Sequence, residues 1–228
     1  MSHKFEKLTK DPLHGVIVTE IEDAILRGKL KPGSRLIESM ISEQFGVSRG
    51  PVREAMVELE MSGLIERIAY RGAMVTSQLT EEDVVDLQTF RKMLEGWAVG
   101  WILDQDESQQ DQIIQNLEAI VEEMEVAAQY ADLSKMLSLD FQFHNELIFL
   151  VGNPLLEEIW RPVGMRLRRY LYLNPRENYI PLDLSVQQHQ EICQTMRAGD
   201  FASTNKLIGD HFCMGRQRIK ADQMMAEA

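Results

Sequence analysis

From Thr80 onward the apolar side chains return every three or four positions, and strict apolar–polar alternation is missing. That spacing gives a helix one apolar stripe and gives a strand nothing to bury, so the segment is restricted to helices packing on helices. Thr80, followed by Glu81, Glu82 and Asp83, is a helix start: an N-cap hydroxyl with acids in the first turn. Breaks at Asn153-Pro154, across Asn174–Pro181 and at Gly199-Asp200 divide the remainder. The spacing predicts helices at 80–104, 108–129, 132–151, 154–173, 185–198 and 200–224, an all-α bundle of about six helices. Pro162 is expected to kink the fourth of them.

The first 78 residues are punctuated differently. Ile17, Ile21, Ala24 and Ile25 mark a helix that Gly28 and Pro32-Gly33 end. A short helix over 38–45 turns Ile41 and Phe45 inward and stops at Gly46. Ser48 then serves as the N-cap of a third helix with Val52, Ala55, Met56 and Leu59 inward, ended by Gly63. LIERIAY and GAMVTS are short β-leaning runs joined through Arg71-Gly72, as in a hairpin or wing. Helix, helix, turn, helix, hairpin is a winged helix-turn-helix, whose third helix enters the major groove N-terminus first. The expected fold is therefore mostly α: a winged helix-turn-helix over residues 1–78 joined to an all-α bundle over 79–228.

Charge separates the same two segments. The chain of 228 residues has a formal net charge of −12, yet residues 1–78 hold 11 Lys/Arg against 11 Asp/Glu, so the whole excess falls on 79–228. An anionic partner would dock on the first segment and be repelled by the second. Arg49 and Arg53 share the third helix's outer face one turn apart, where guanidinium suits forked contacts with guanine or phosphate. Ser48 and the free N–H groups of the first turn, where Gly50 stands, add a phosphate site, and Arg71 on the wing reaches for the minor groove. The alternative for the two arginines is pairing with Glu54 or Glu58. No run of about 18 apolar residues and no signal peptide is seen. Cys193 and Cys213 are too few for a disulfide framework, so a cytoplasmic protein with reduced thiols and no membrane partner is expected.

The stretch PGSRLIESMISEQFGVSRGPVREAMVELEMSGLIERIAYRGAMV resembles the DNA-binding domain of GntR-family transcription regulators, across about residues 12–77. The resemblance implies that Arg49, Arg53 and the wing glycine Gly72 contact double-stranded operator DNA. FadR, the fatty-acid-responsive member, has a DNA-contacting arginine where this chain has Ser39, so its operator sequence does not transfer.

In the C-terminal segment polar residues sit on apolar stripes. Asp140 and His144 fall at i, i+4 among Leu133, Met136, Leu137, Phe141, Leu147 and Ile148; His189 lies among Val186, Ile192 and Met196; His211 lies among Leu207, Ile208 and Phe212. Buried carboxylate and imidazole groups are costly unless paired, and one divalent ion satisfies several at once. Three imidazoles and a carboxylate suit Zn²⁺, Ni²⁺ or a similar metal; a core hydrogen-bond network is the alternative. Cys193 is not needed to complete the set. Arg91 interrupts the stripe of Val84, Leu87, Leu94, Ala98 and Trp101 and requires an anion, either internal (Glu95 or Asp140) or the carboxylate of a bound small molecule. Arg166, aligned with Ile159, Val163 and Tyr170, is a second residue of the same kind.

DFQFHNELIFLVGNPLLEEIW and QQHQEICQTMRAGDFASTNKLIGDHF resemble the FCD effector domain of FadR-type GntR regulators, over about residues 80–222. The resemblance implies metal ligation by Asp140, His144, His189 and His211, and a small organic or sugar acid that binds near the metal and changes DNA affinity. FadR lacks the metal set and binds acyl-coenzyme A, which argues against a fatty-acyl effector here. Because one winged helix buries too little DNA surface for a tight site, a homodimer on a palindromic operator is expected, with repression as the direction. Two other readings are a metal-dependent hydrolase or hydratase fused to a nucleic-acid-binding domain, and a purely structural metal.

Overall fold

Ile17, Val18, Ile21 and Ile25 close one side of helix α1 (Leu13–Leu26) against Val52, Ala55, Met56 and Leu59 of α3 (Arg49–Met61). This is a computed structural model, and the structure describes residues 13–68, 72–77, 79–174 and 181–211. Between those helices α2 (Glu38–Phe45) packs on α3 and ends at Gly46, whose φ of 64° sends the chain into the turn. Ile41 is buried as expected, but Phe45 sits at the rim, 37% exposed.

The hairpin forms as β2 (Ile65–Ile68) and β3 (Gly72–Val75), antiparallel with Ile65 opposite Val75. A third strand, β1 (Arg35–Leu36), pairs with the other edge of β3, giving the order β1-β3-β2. Two residues are too few to show alternation, so β1 left no trace in the apolar pattern. Gly72 is required where it stands. Its φ is +85°, and a Cβ there would lie 2.7 Å from the Leu36 carbonyl oxygen across the sheet. The wing glycine is thus fixed by strand packing, whatever else it touches.

Contacts divide the chain into two units, Met1–Gln78 and Leu79–Ala228. The second is built of six helices among the described residues: α4 (Glu81–Leu103), α5 (Glu107–Gln129), α6 (Leu133–Phe149), α7 (Pro154–Leu173), α8 (Leu182–Arg197) and α9 (Phe201–His211). Their starts are chemically marked. Thr80 and Asp83 form a reciprocal capping box, with Asp83 N–H donating to Thr80 Oγ1 at 3.1 Å and Thr80 N–H to Asp83 Oδ2 at 2.8 Å. Asp106, Asp132 and Asn153 accept from the first turns of α5, α6 and α7. Helix α7 continues through Pro162. The part of the last helix expected beyond His211, with Phe212, lies outside the described residues. Helix α5 packs against α6 and α8, and α4 against α6, α7 and α9. Leu117, Met124, Phe143, Leu147, Trp160, Ile192 and Met196 fill the space between. No helix of the described residues is long and apolar enough to cross a membrane.

Gly72→Ala is expected to destabilise the first unit by about 1–3 kcal/mol, the cost of a strained backbone. Amide exchange in β1 and β3 of the full chain reads this out, with Gly15→Ala, whose Cβ meets nothing within 4 Å, as the unstrained control.

Candidate functional site

Helix α6 carries Asp140 and His144 on successive turns, α8 brings His189 and α9 brings His211. One ligand atom from each of the four lies within 4.8 Å of all the others. From Asp140 Oδ1 the Nε2 atoms of His211, His189 and His144 stand at 3.0, 3.5 and 4.0 Å. All three imidazoles are buried.

The Nδ1 atoms of His189 and His211 are held by their surroundings, which places a proton on each. His189 Nδ1–H donates to the Ser185 carbonyl at 2.7 Å, and His211 Nδ1–H donates to Gln188 Oε1 at 2.9 Å. His144 Nδ1 lies 3.1 Å from Glu95 Oε1. The guanidinium of Arg91 donates to Glu95 Oε1 through Nε at 3.0 Å and reaches His144 Nε2 through Nη2. His189 and His211 thus carry a proton on Nδ1 and direct Nε2 toward Asp140, whereas His144 Nε2 also meets the Arg91 guanidinium and His144 Nδ1 is buried without a hydrogen-bond partner. Carboxylates and carbonyls on the far nitrogen of metal-binding histidines do the same orienting work.

Ionisation follows from burial and neighbours. Burial pushes His189 well below the usual histidine range, and the field of His211 adds to it. Burial lowers His211 too, against the opposing hydrogen bond to Asp140. For Asp140 burial works upward, but the His211 hydrogen bond and the three imidazoles outweigh it and hold the carboxyl low. Glu95 is likewise kept low by Arg91 and His144 against its burial. A carboxylate facing imidazoles, two of which resist protonation, suits a cation, and two details bear on the fit. His189 Nε2 is buried without a hydrogen-bond partner. Neutral His211 has one proton for two acceptors, Gln188 Oε1 and Asp140 Oδ1, and a cation between Nε2 and Oδ1 would replace the missing one.

A cavity of about 320 Å³, counting its open mouth, adjoins this cluster between α4, α6 and α7. Arg91, Asp140 and His144 form its inner end, and Leu137, Phe141, Trp160, Leu167 and Leu171 its walls. Arg91 is placed as the sequence suggested, with Glu95 as its internal anion. Arg166 is not: it is exposed and stands near Asp83, away from the cavity. The buried line of α7 runs through Leu156, Trp160, Val163, Gly164 and Leu167, about 100° round the helix from the line through Ile159. Arg168 lines the cavity instead, its guanidinium 4.7 Å from the Phe141 ring centre and 5.7 Å from that of Tyr172. The buried thiol of Cys193, pushed up to about 12 by its burial, is not part of the cluster.

In the first unit Arg49, Gly50 and Arg53 lie on the exposed side of α3, opposite Val52, Ala55 and Met56. Arg53 Nε is 3.5 Å from Glu38 Oε2, while Glu54 and Glu58 face His14 at 3.8 and 3.6 Å. Ser48 occupies the N-cap position without a side-chain capping bond. Arg71 lies outside the described residues.

Against this geometry stand the comparisons. The family described as FCD domain matches residues 61–213, and the bacterial regulatory proteins, gntR family, match residues 13–75. The HTH-type transcriptional regulator YdhC of Bacillus subtilis (strain 168) is 28% identical over 218 residues, covering 95% of this chain and 94% of that protein. The gluconate operon transcriptional repressor of the same organism is 25% identical, covering 92% and 88%. The solved structure of Escherichia coli McbR/YncC superposes with a TM-score of 0.71 at 20% identity, over 95% of this chain and 100% of that one, which speaks for the fold.

A pH dependence follows from the two lowered histidines. Their folded pKa values lie below the ordinary 6.5, so as pH falls through that value the unfolded chain takes up protons that the folded chain refuses. Stability is lost toward acid, by up to about 1.4 kcal/mol per pH unit for each histidine. Chelator-treated protein is expected to melt at lower temperature at pH 5.5 than at 7.5, and His189→Gln to flatten that difference.

Proposed function

The chain belongs to the gntR family of bacterial regulatory proteins with an FCD domain, and from that premise we propose that it represses transcription by binding a palindromic operator as a homodimer. It holds a divalent metal on Asp140, His144, His189 and His211, and loses DNA affinity when a small carboxylate binds beside the metal. The observation that carries this reading is the cavity opening directly onto the four-residue cluster, with Arg91 at the junction. Zn²⁺ or Ni²⁺ fits the donor set and, when bound, supplies a positive centre that accepts a carboxylate oxygen.

The chain's own residues divide the remaining work. Ser185, Gln188 and Glu95 orient the three rings. Glu95 neutralises Arg91, so the buried guanidinium adds donors without leaving a lone charge. In the first unit Arg49 and Arg53 supply base-edge or phosphate contacts from α3, with Ser48, Gly50, Arg71 and Gly72 at the N-terminal turn and wing. An effector weakens DNA binding only by preferring one arrangement of the dimer over another. For the dimer itself we assign the outer side of α4. Val85, Phe90, Met93 and Trp97 lie there, each at least 50% exposed, turned away from the buried stripe that includes Arg91. That is more apolar surface on one helix face than a monomer leaves in water without use.

The hydrolase reading needs a general base beside the cluster. Among the described residues lining the cavity, the other titratable groups are two arginines and Tyr172, whose hydroxyl donates to the Ser134 carbonyl at 3.3 Å. The relatives matched over most of their length are regulators, and the regulatory reading is the one supported.

The test joins metal and DNA. Purified protein should hold about one metal ion per chain and retard DNA from upstream of its own coding sequence. Arg49→Ala or Arg53→Ala should weaken that binding about 10- to 100-fold, the loss of one forked base contact. Asp140→Ala/His189→Ala should lose the metal and the response to acids while still binding DNA. No retarded band at low salt, with or without metal, defeats the proposal. Separately, Trp97→Glu is expected to convert a dimer to a monomer in light scattering; an unchanged mass moves the interface elsewhere.

A further inference from the structure

The cavity is chemically one-sided. Its charged ligand groups, Asp140, His144 and Arg91, are gathered at the inner end, and its walls among the described residues contain no Ser, Thr, Asn or Gln. The two neutral hydrogen-bonding groups it does have are spent elsewhere. Trp160 Nε1–H donates to Asn145 Oδ1 at 3.1 Å, and the Tyr172 hydroxyl donates to the Ser134 carbonyl. Gly164 packs against the tryptophan wall: a Cβ there would stand 3.0 Å from the Trp160 indole and push the ring by a few tenths of an ångström. Arg168, between the Phe141 and Tyr172 rings, has a buried Nε without a hydrogen-bond partner and no carboxylate beside it among the described residues.

We infer that the effector is a small carboxylic acid with an apolar body, an aliphatic chain or an aromatic ring, and not a polyhydroxylated sugar acid. This rests on the reading that a carboxylate binds beside the cluster and adds what the rest of the molecule must be. Apart from Arg168 and the Tyr172 oxygen the described wall residues offer hydroxyls no partner, so most of those of a sugar acid would leave water uncompensated, a cost repeated along the chain. Methylene or ring carbons gain from the same transfer. The carboxylate takes the charged end and draws Arg168, which has no carboxylate partner among the described residues. The inference therefore separates this chain from the gluconate repressors it is similar to.

The experiment is calorimetry on full-length, metal-loaded protein with hexanoate, 3-phenylpropanoate and gluconate. At least one apolar acid should bind about tenfold or more tighter than gluconate, since several buried carbons each contribute. Leu137→Asn/Leu171→Asn, both half-buried positions, should weaken the apolar acid about tenfold with metal content unchanged, and Arg168→Met should weaken it similarly. Gluconate binding more tightly than both apolar acids, or apolar-acid affinity indifferent to the wall variants, overturns the apolar class and leaves the carboxylate reading standing. If none of the three acids binds, both fall.

Discussion

One buried carboxylate facing three buried imidazoles is the constraint to which the helical unit answers. Alone in an apolar interior, any of these groups would cost more than most single contacts return. Together they join α6, α8 and α9 at a point, and each depends on the others remaining in place. Helix α8 delivers one imidazole, His189, and with the neighbouring Gln188 orients another, His211. Helix α4 contributes through Glu95, which faces His144 and Arg91 at once. Four of the six helices are thereby fixed relative to one another by polar contacts that tolerate little displacement, where apolar packing alone would allow sliding.

The core and the site are the same packing problem seen from two sides. Phe143, fully buried, places its ring edge against His189 at 4.7 Å and His144 at 5.3 Å between centroids. Its neighbours on α6, Leu139 and Leu147, fill the core, while Leu137 and Phe141 face the cavity. A molecule entering that cavity therefore presses on helices whose other faces are close-packed. Such helices move as bodies or not at all, which is how a small ligand can matter at a distance.

Much of this was legible in the chain because it is written in period and punctuation. The helix starts at Thr80, Asn153 and Asp200 carry their own chemistry in side chains that satisfy free backbone groups, and the turns at Gly46 and Gly63 in glycines that take a positive φ. The four-residue cluster was legible for a related reason: a histidine on an apolar stripe violates the pattern, and three violations on stripes that can converge point to one place. What escaped depended on partners far away in sequence. Strand β1 is defined only by its pairing with β3. Arg166 and Arg168 differ by two positions on one helix, and α7 is wide enough in its apolar face that the sequence left its inward direction ambiguous by a third of a turn. Gln188 and Ser185 have no pattern of their own and became visible only once the rings they orient were placed.

The two arginines of the cavity show why position along a charge network matters more than residue type. Arg91 is buried, and its charge is already balanced by Glu95 at 3.0 Å, so a ligand gains donors from it without correcting an imbalance. Arg168 is held by aromatic faces, which attract a cation without neutralising it. An incoming carboxylate thus completes the electrostatics of Arg168 and adds to those of the cluster behind it. Selectivity among acids then cannot come from these charges, since every carboxylate satisfies them alike. On the proposed reading it is left to the walls, where most hydroxyls find no partner and a carbon finds several.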